Sequence, residues 1–122
     1  MAASSLRDIC FDCADNRRVA QFWADALGYT LPAPDSDDPT EDSIAITPPD
    51  GGLRIWFNRV PEPKVAKNRV HLDINMPDDA EMERLQRLGA RPLQEIRGED
   101  GALWWTIMAD PEGNEFCAFP PK

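Results

Sequence analysis

Ala102–Phe119, ALWWTIMADPEGNEFCAF, is the stretch whose reading decides the fold. Trp104, Trp105, Thr106 and Ile107 are strong strand formers. Asp110-Pro111-Glu112-Gly113-Asn114 is dense in turn residues: Pro fixes φ, while Gly and Asn tolerate positive φ. Glu115–Phe119 then resumes an apolar run. The stretch reads as strand, tight turn, strand. Its weight comes from a fainter copy of the same pattern in the first half of the chain.

The chain has 122 residues, enough for one domain with a real core. At 42% hydrophobic and 29% charged it falls in the soluble globular class. No apolar run approaches the roughly 18 residues of a membrane helix, and MAASSLRDIC has no apolar signal-peptide core. A cytoplasmic location is expected, with no membrane partner. The net charge of −9 argues against nucleic acid, which needs a basic surface. Five acids crowd Asp35–Asp42 beside Pro34 and Pro39; without EF-hand spacing this reads as a solvated loop. Cys10, Cys13 and Cys117 are an odd number with no framework, so reduced thiols are expected. Cys10 and Cys13 lie three apart in a strand-like run and point to opposite faces. They read as buried small residues rather than a zinc knuckle or redox pair.

Leu6–Cys13 is the first expected strand, with Ile9, Phe11 and Cys13 on one face and Asp8, Cys10 and Asp12 on the other. Asp15 is placed as an N-cap. Val19, Phe22, Trp23, Ala26 and Leu27 form one helical stripe, and Gly28 stops it, giving a helix over Asn16–Leu27. Short strands are expected at Tyr29–Pro32, Ser43–Thr47 and Leu53–Val60, the last two joined by the Pro48–Gly52 turn. Paired prolines open a linker over residues 61–68. Arg69–Met76 alternates cleanly, with Leu72, Ile74 and Met76 on one face and His71, Asp73 and Asn75 on the other. Asp78 and Glu81 resemble a capping box for a second helix bearing Met82, Leu85 and Leu88 and ending at Gly89. Arg91–Arg97, a turn at Gly98–Gly101 and the hairpin complete the chain.

Both halves therefore read β-α-β-β-β, and the residues superpose. Asp8 falls on His71 and Asp15 on Asp78, an offset of 63. Leu27-Gly28 falls on Leu88-Gly89, an offset of 61. Pro49-Asp50-Gly51-Gly52 falls on Pro111-Glu112-Gly113-Asn114, an offset of 62, which carries Ile55 onto Cys117 and Phe57 onto Phe119. Two repeats are too few for a solenoid, so a tandem duplication is the reading: module one over about 5–60, module two over about 69–120. The fold class is α+β: two tandem βαβββ modules forming a curved, mostly antiparallel sheet around a concave pocket, helices on the outer face. The helix-averse faces of the two first strands carry Asp8, Asp12, His71, Asp73 and Asn75. Burying such groups against apolar packing costs several kcal/mol unless they are paired, so these faces are expected to meet solvent or line a cavity.

The motifs FWADALGY (Phe22–Tyr29), KNRVHLDI (Lys67–Ile74), RLGA (Arg87–Ala90) and DPEGNEFC (Asp110–Cys117) resemble the vicinal oxygen chelate superfamily. That superfamily includes glyoxalase I, bleomycin-resistance proteins and extradiol dioxygenases. The resemblance spans about Leu6 to Phe119 and is closest to the bacterial glyoxalase-like domain branch. It implies paired modules around a U-shaped site, in a homodimer. It also implies metal ligands, typically His, Glu or Gln, on the first and last strand of each module. Carried over, those positions are Asp8, Ile55, His71 and Cys117. Only His71 is a family-type ligand in its place; Cys117 stands where Glu is usual, with Glu115 two positions earlier on the same strand face. Manganese, iron or nickel wants nitrogen and oxygen donors, and Ile55 offers none.

The reading that follows is a small-molecule-binding protein with no cofactor favoured and no family-type metal centre. The expected pocket residues are Asp8, Asp12, Phe57, Arg69, Asp73, Trp104, Trp105, Glu115, Cys117 and Phe119, and Phe57 and Phe119 form its floor. Of the adjacent Trp104 and Trp105, one should be core and the other free to stack on a ligand. Trp56 should pack on the helices or an interface. His71 is the catalytic candidate, either hydrogen-bonded to Asp73 or acting as a general base. The alternative is a metal-dependent lyase, isomerase or dioxygenase holding zinc or another divalent metal through Asp8, His71 and Cys117.

Overall fold

The computed structural model describes residues 3–34 and 42–122. The acidic segment expected to be a solvated loop lies, up to residue 41, outside the described residues. The chain divides into two compact units, Met1–Pro63 and Lys64–Lys122. Each has its own mixed sheet, and among the described residues three of the five strand pairings are antiparallel.

In the first unit β1 (Ile9–Cys13), β2 (Ser43–Ile46) and β3 (Ile55–Arg59) form a sheet of order β1-β3-β2. β3 runs parallel to β1 and antiparallel to β2. Helix α1 (Asn16–Leu27) packs on all three strands. Its boundaries follow from the caps. The Asp15 carboxylate accepts from Arg18 N at 3.2 Å, and Gly28 closes the helix at φ 72°, a left-handed conformation that glycine adopts without strain. Of the expected stripe, Val19, Phe22 and Trp23 are buried, while Ala26 and Leu27 are half-buried. The Phe11 ring sits 5.6 Å from Trp23 and 5.2 Å from Phe57, joining helix to sheet. Burying each such ring stabilises by roughly 1.5–3 kcal/mol. The strand expected at Tyr29–Pro32 reduces to a single bridge, Thr30 with Thr47. Pro32 and Pro34 have no N–H to extend it. Cys13 is buried, but Cys10 is exposed, correcting the expectation for it.

In the second unit β4 (Asp73–Asn75), β5 (Arg91–Arg97), β6 (Leu103–Ala109) and β7 (Glu115–Phe119) form a sheet of order β4-β7-β6-β5. β7 is parallel to β4 and antiparallel to β6. β4 is shorter than the expected Arg69–Met76. Its ladder is bracketed by Cys117 N–Leu72 O and Met76 N–Phe119 O, and before Leu72 the contact with β7 passes to Asn68 and Glu115. Helix α2 (Glu81–Leu88) starts later than the capping box implied. Asp78 instead accepts from Ala80 N at 3.0 Å, a local turn, and the Glu81 carboxylate pairs with Arg84 rather than reaching back to a cap. Leu85 is fully buried. Gly89 ends the helix at φ 120°, where a Cβ would stand 3.2 Å from Pro111 Cγ.

The ladder pairs correct the register of the repeat. Trp56 pairs with Cys10, on the face turned from α1, whereas Ile55 and Phe57 pair with Ile9 and Phe11 on the helix side. Cys117 pairs with Asp73, and Phe119 with Asn75. The position equivalent to Cys117 is thus Trp56, not Ile55, and Trp56 is not packed on the helix. A one-residue slip moves every side chain to the other face. Its source is the turn. From Ile46 to its partner Ile55 the chain advances nine positions, and from Met108 to its partner Phe116 eight.

Candidate functional site

The helix-averse face of the first unit is closed by its own charges. Asp8, with a side chain only 13% exposed, lies 3.4 Å from Arg7 Nε and 3.5 Å from Arg54 Nε. The Arg54 guanidinium lies 5.3 Å from the centre of the Trp56 ring, a cation–π contact. Asp12 and Cys10 are exposed on the same strand. Phe57, expected in the pocket floor, is 0% exposed and packs against Phe11 in the core. Its carbonyl accepts from the buried Asn16 Nδ2 at 3.2 Å.

The second unit gathers the remaining candidates on one sheet face. Alternation puts His71 and Asp73 on the same side of the chain, and His71 Nδ1 lies 3.1 Å from Asp73 Oδ1. The parallel ladder sets Cys117 opposite Asp73. One donor atom from each of His71, Asp73 and Cys117 lies within 4.8 Å of the others. His71 and Asp73 are exposed and Cys117 is buried. Burial pushes the Cys117 thiol up from its ordinary value, and the Asp73 charge and hydrogen bond push it further; the Lys67 charge opposes them. The group is a neutral thiol at neutral pH, resting against a carboxylate.

Glu115 is engaged differently. Its carboxylate accepts from Asn68 N at 2.9 Å and lies 3.0 Å from Lys64 Nζ. Asn68 Nδ2 also donates to the Glu115 carbonyl at 3.1 Å. Burial works against ionisation, but these contacts outweigh it and hold the carboxyl below its ordinary value. The clamp ties the segment before β4 to the start of β7. Nothing in the sequence paired Asn68 and Lys64 with Glu115. Arg69 is exposed.

Phe119 continues this face two residues beyond Cys117, and its ring lies 5.6 Å from Trp105. Trp105 has the parity of Ile107, the partner of Cys117. The two indoles do not divide between core and ligand face: Trp104 is 54% exposed and stacks on Trp105 with ring centres 6.2 Å apart.

The donors do not fit the hard metal centre that the fold class implies. In the first unit Asp8 is committed to two arginines, and the last-strand position is an indole. In the second unit Glu115 is committed to Lys64 and Asn68, and the last-strand position is a thiol. Among the described residues, these strand positions offer no octahedral oxygen and nitrogen shell.

Comparison with known proteins follows the same lines. The family described as "Glyoxalase-like domain" matches residues 8–119. No curated protein sequence matches the chain. Among solved structures, a mutant of the genomically encoded fosfomycin resistance protein FosX from Listeria monocytogenes is similar. That structure is complexed with Mn(II) and 1S,2S-dihydroxypropylphosphonic acid, and the TM-score is 0.71 at 14% identity over 99% of this chain and 93% of that one. A glyoxalase-related enzyme from Fulvimarina pelagi gives 0.65 at 17% identity over 94% of this chain and 86% of that one. A glyoxalase/bleomycin resistance protein/dioxygenase family enzyme from Burkholderia phytofirmans PsJN gives 0.65 at 13% identity over 94% and 97%. At these identities the likeness is one of fold. No helix among the described residues is long and apolar enough to cross a membrane. With the match running from the first strand to the last, the chain belongs to the glyoxalase-like domain family.

Proposed function

We propose that the protein binds a small molecule on the helix-averse face of its second unit, as a cytoplasmic homodimer, without a family-type hard metal centre. The observation that carries this reading is the pairing of Trp105 and Phe119 at 5.6 Å on the face that also holds the exposed His71–Asp73 pair. A flat apolar surface beside a directional polar pair suits a planar or aromatic compound with a hydrogen-bonding or cationic group. The committed Asp8 and Glu115 favour binding over metal-assisted turnover.

The test is thermal shift in excess EDTA against a panel of small aromatic and zwitterionic compounds. A ligand at a hundredfold its Kd stabilises by about 2.7 kcal/mol, and Phe119→Ala and Trp105→Ala should abolish the shift. Shifts that survive both substitutions, or no shift with any compound, would sink the proposal. The second reading is a metal-dependent lyase, isomerase or dioxygenase using Asp8, His71 and Cys117. The proximity of His71 to Cys117 favours it, and it predicts that binding vanishes in EDTA and returns with metal.

A further inference from the structure

We propose that His71, Asp73 and Cys117 form a zinc-class cation site, built within the second unit alone and open at one coordination position. It goes beyond the small-molecule reading, which is tested in chelator and stands or falls separately. Ligands bound tetrahedrally to zinc at about 2.0–2.3 Å lie roughly 3.3–3.8 Å apart. Donor atoms already within 4.8 Å of one another reach that spacing by side-chain rotation, with no change of ladder.

The donor chemistry agrees. A thiolate, an imidazole and a carboxylate suit a borderline-soft ion and disfavour manganese or magnesium. The thiolate and carboxylate charges neutralise a divalent cation. Asp73 opens the short strand β4, His71 lies two residues before it with the same parity, and Cys117 faces Asp73 across the parallel partner β7. This backbone is fixed by the ladder and by the Glu115–Asn68 clamp, so the site is preorganised. Cys117 is buried while His71 and Asp73 are exposed, so the fourth position opens on the solvent side. The arrangement differs from the two-module ligand set that the resemblance implies. Asp8 has no part in it, and Asp73, absent from that set, is essential.

Cobalt(II) is the probe, because thiolate coordination gives a near-ultraviolet charge-transfer band that other donors do not. Protein purified under reducing conditions is titrated with cobalt(II), with binding also followed by competition with zinc(II). The expected result is one ion per chain with the thiolate band. Cys117→Ser should abolish the band, and His71→Ala and Asp73→Asn should each weaken binding more than about tenfold. Cys10→Ser, which removes the exposed thiol, and Asp8→Asn, which removes the first unit's carboxylate, should leave band and affinity unchanged. Melting curves in EDTA check that each variant folds; should Cys117→Ser not fold, Cys117→Ala and His71→Ala carry the same reading. No band in the wild-type protein, a band that survives loss of Cys117, or a band lost with Asp8 overturns the proposal.

Discussion

The two units spend the same strand positions in opposite ways. On the helix-averse face of the first, Asp8 lies between Arg7 and Arg54, and Arg54 lies on Trp56. On the second, the positions equivalent to Asp8, Arg54 and Trp56 are His71, Glu115 and Cys117. The first set is self-satisfied: every charge has its partner, and the indole is covered by a cation. In the second, Glu115 is held by Lys64 and Asn68, while imidazole, carboxylate and thiol turn toward one another. The first unit's polar face is thus taken up by arginine contacts, whereas the second keeps an exposed His71–Asp73 pair beside a thiol. The lesson is that position within a repeat does not confer a role.

The register correction gives this comparison its largest lever. Phe57 and Phe119 align in sequence, yet Phe57 is fully buried against Phe11 and Phe119 is half-buried beside Trp105. Phe57→Ala should cost about 3–5 kcal/mol by urea unfolding, a full transfer term plus a cavity. Phe119→Ala should cost about 1 kcal/mol, since much of its surface is already in water, while losing the small-molecule shift. Equal costs for the two would return both rings to the same face and undo the offset drawn here.

That slip also shows what the sequence makes legible. Helix α1 and strand β5 are placed to the residue, because caps, stops and turns are local chemistry. The polar face of β1 is legible because Asp8, Cys10 and Asp12 alternate with Ile9, Phe11 and Cys13. β3 is different. Ile55-Trp56-Phe57 is an unbroken apolar run that fits either phase of a strand. Only the turn could set its phase, and the two turns differ by one residue. His71 and Asp73 were visible as neighbours two apart. Cys117 joins them through a parallel ladder across more than forty residues, and no local pattern encodes that pairing.

The turns themselves make the next comparison. Asp110 is fully buried; its carboxylate accepts from Glu112 N at 2.9 Å, Asn114 N at 3.0 Å and Asn114 Nδ2. In the longer first turn, Asp50 is exposed and accepts from Gly52 N at 2.9 Å. Asp110→Ala strands several donors in a buried place and should cost roughly 3 kcal/mol. Asp50→Ala should cost about 0.5 kcal/mol, because water replaces the lost acceptor. Chemical denaturation of the two variants checks the ratio. A mild Asp110→Ala would mean that the Gly113 turn holds by backbone alone, and that DPEGN is a signature without energetic weight.

The smallest effect separates the helices. α1 has a side-chain cap and a buried stripe; α2 has no side-chain cap bond and one fully buried residue, Leu85. What α2 has instead is Glu81, whose carboxylate accepts from Arg84 Nε at 2.6 Å and Nη2 at 2.8 Å. That hydrogen bond, opposed by burial and helped by the Arg84 charge, holds the Glu81 carboxyl below its ordinary 4.5. A carboxyl depressed in the folded state stabilises it above the unfolded value and loses that contribution as pH falls through the folded one. Glu81→Gln should therefore cost about 0.5 kcal/mol at neutral pH, the usual size for a partly exposed pair one helical turn apart. The difference from wild type should close as the pH drops below 4.5. Stability of the two proteins measured by urea unfolding from pH 7 downward resolves it. A gap that persists in acid would assign the cost to packing of the Glu81 stem rather than to its charge, and would leave α2 held by Leu85 without the ion pair.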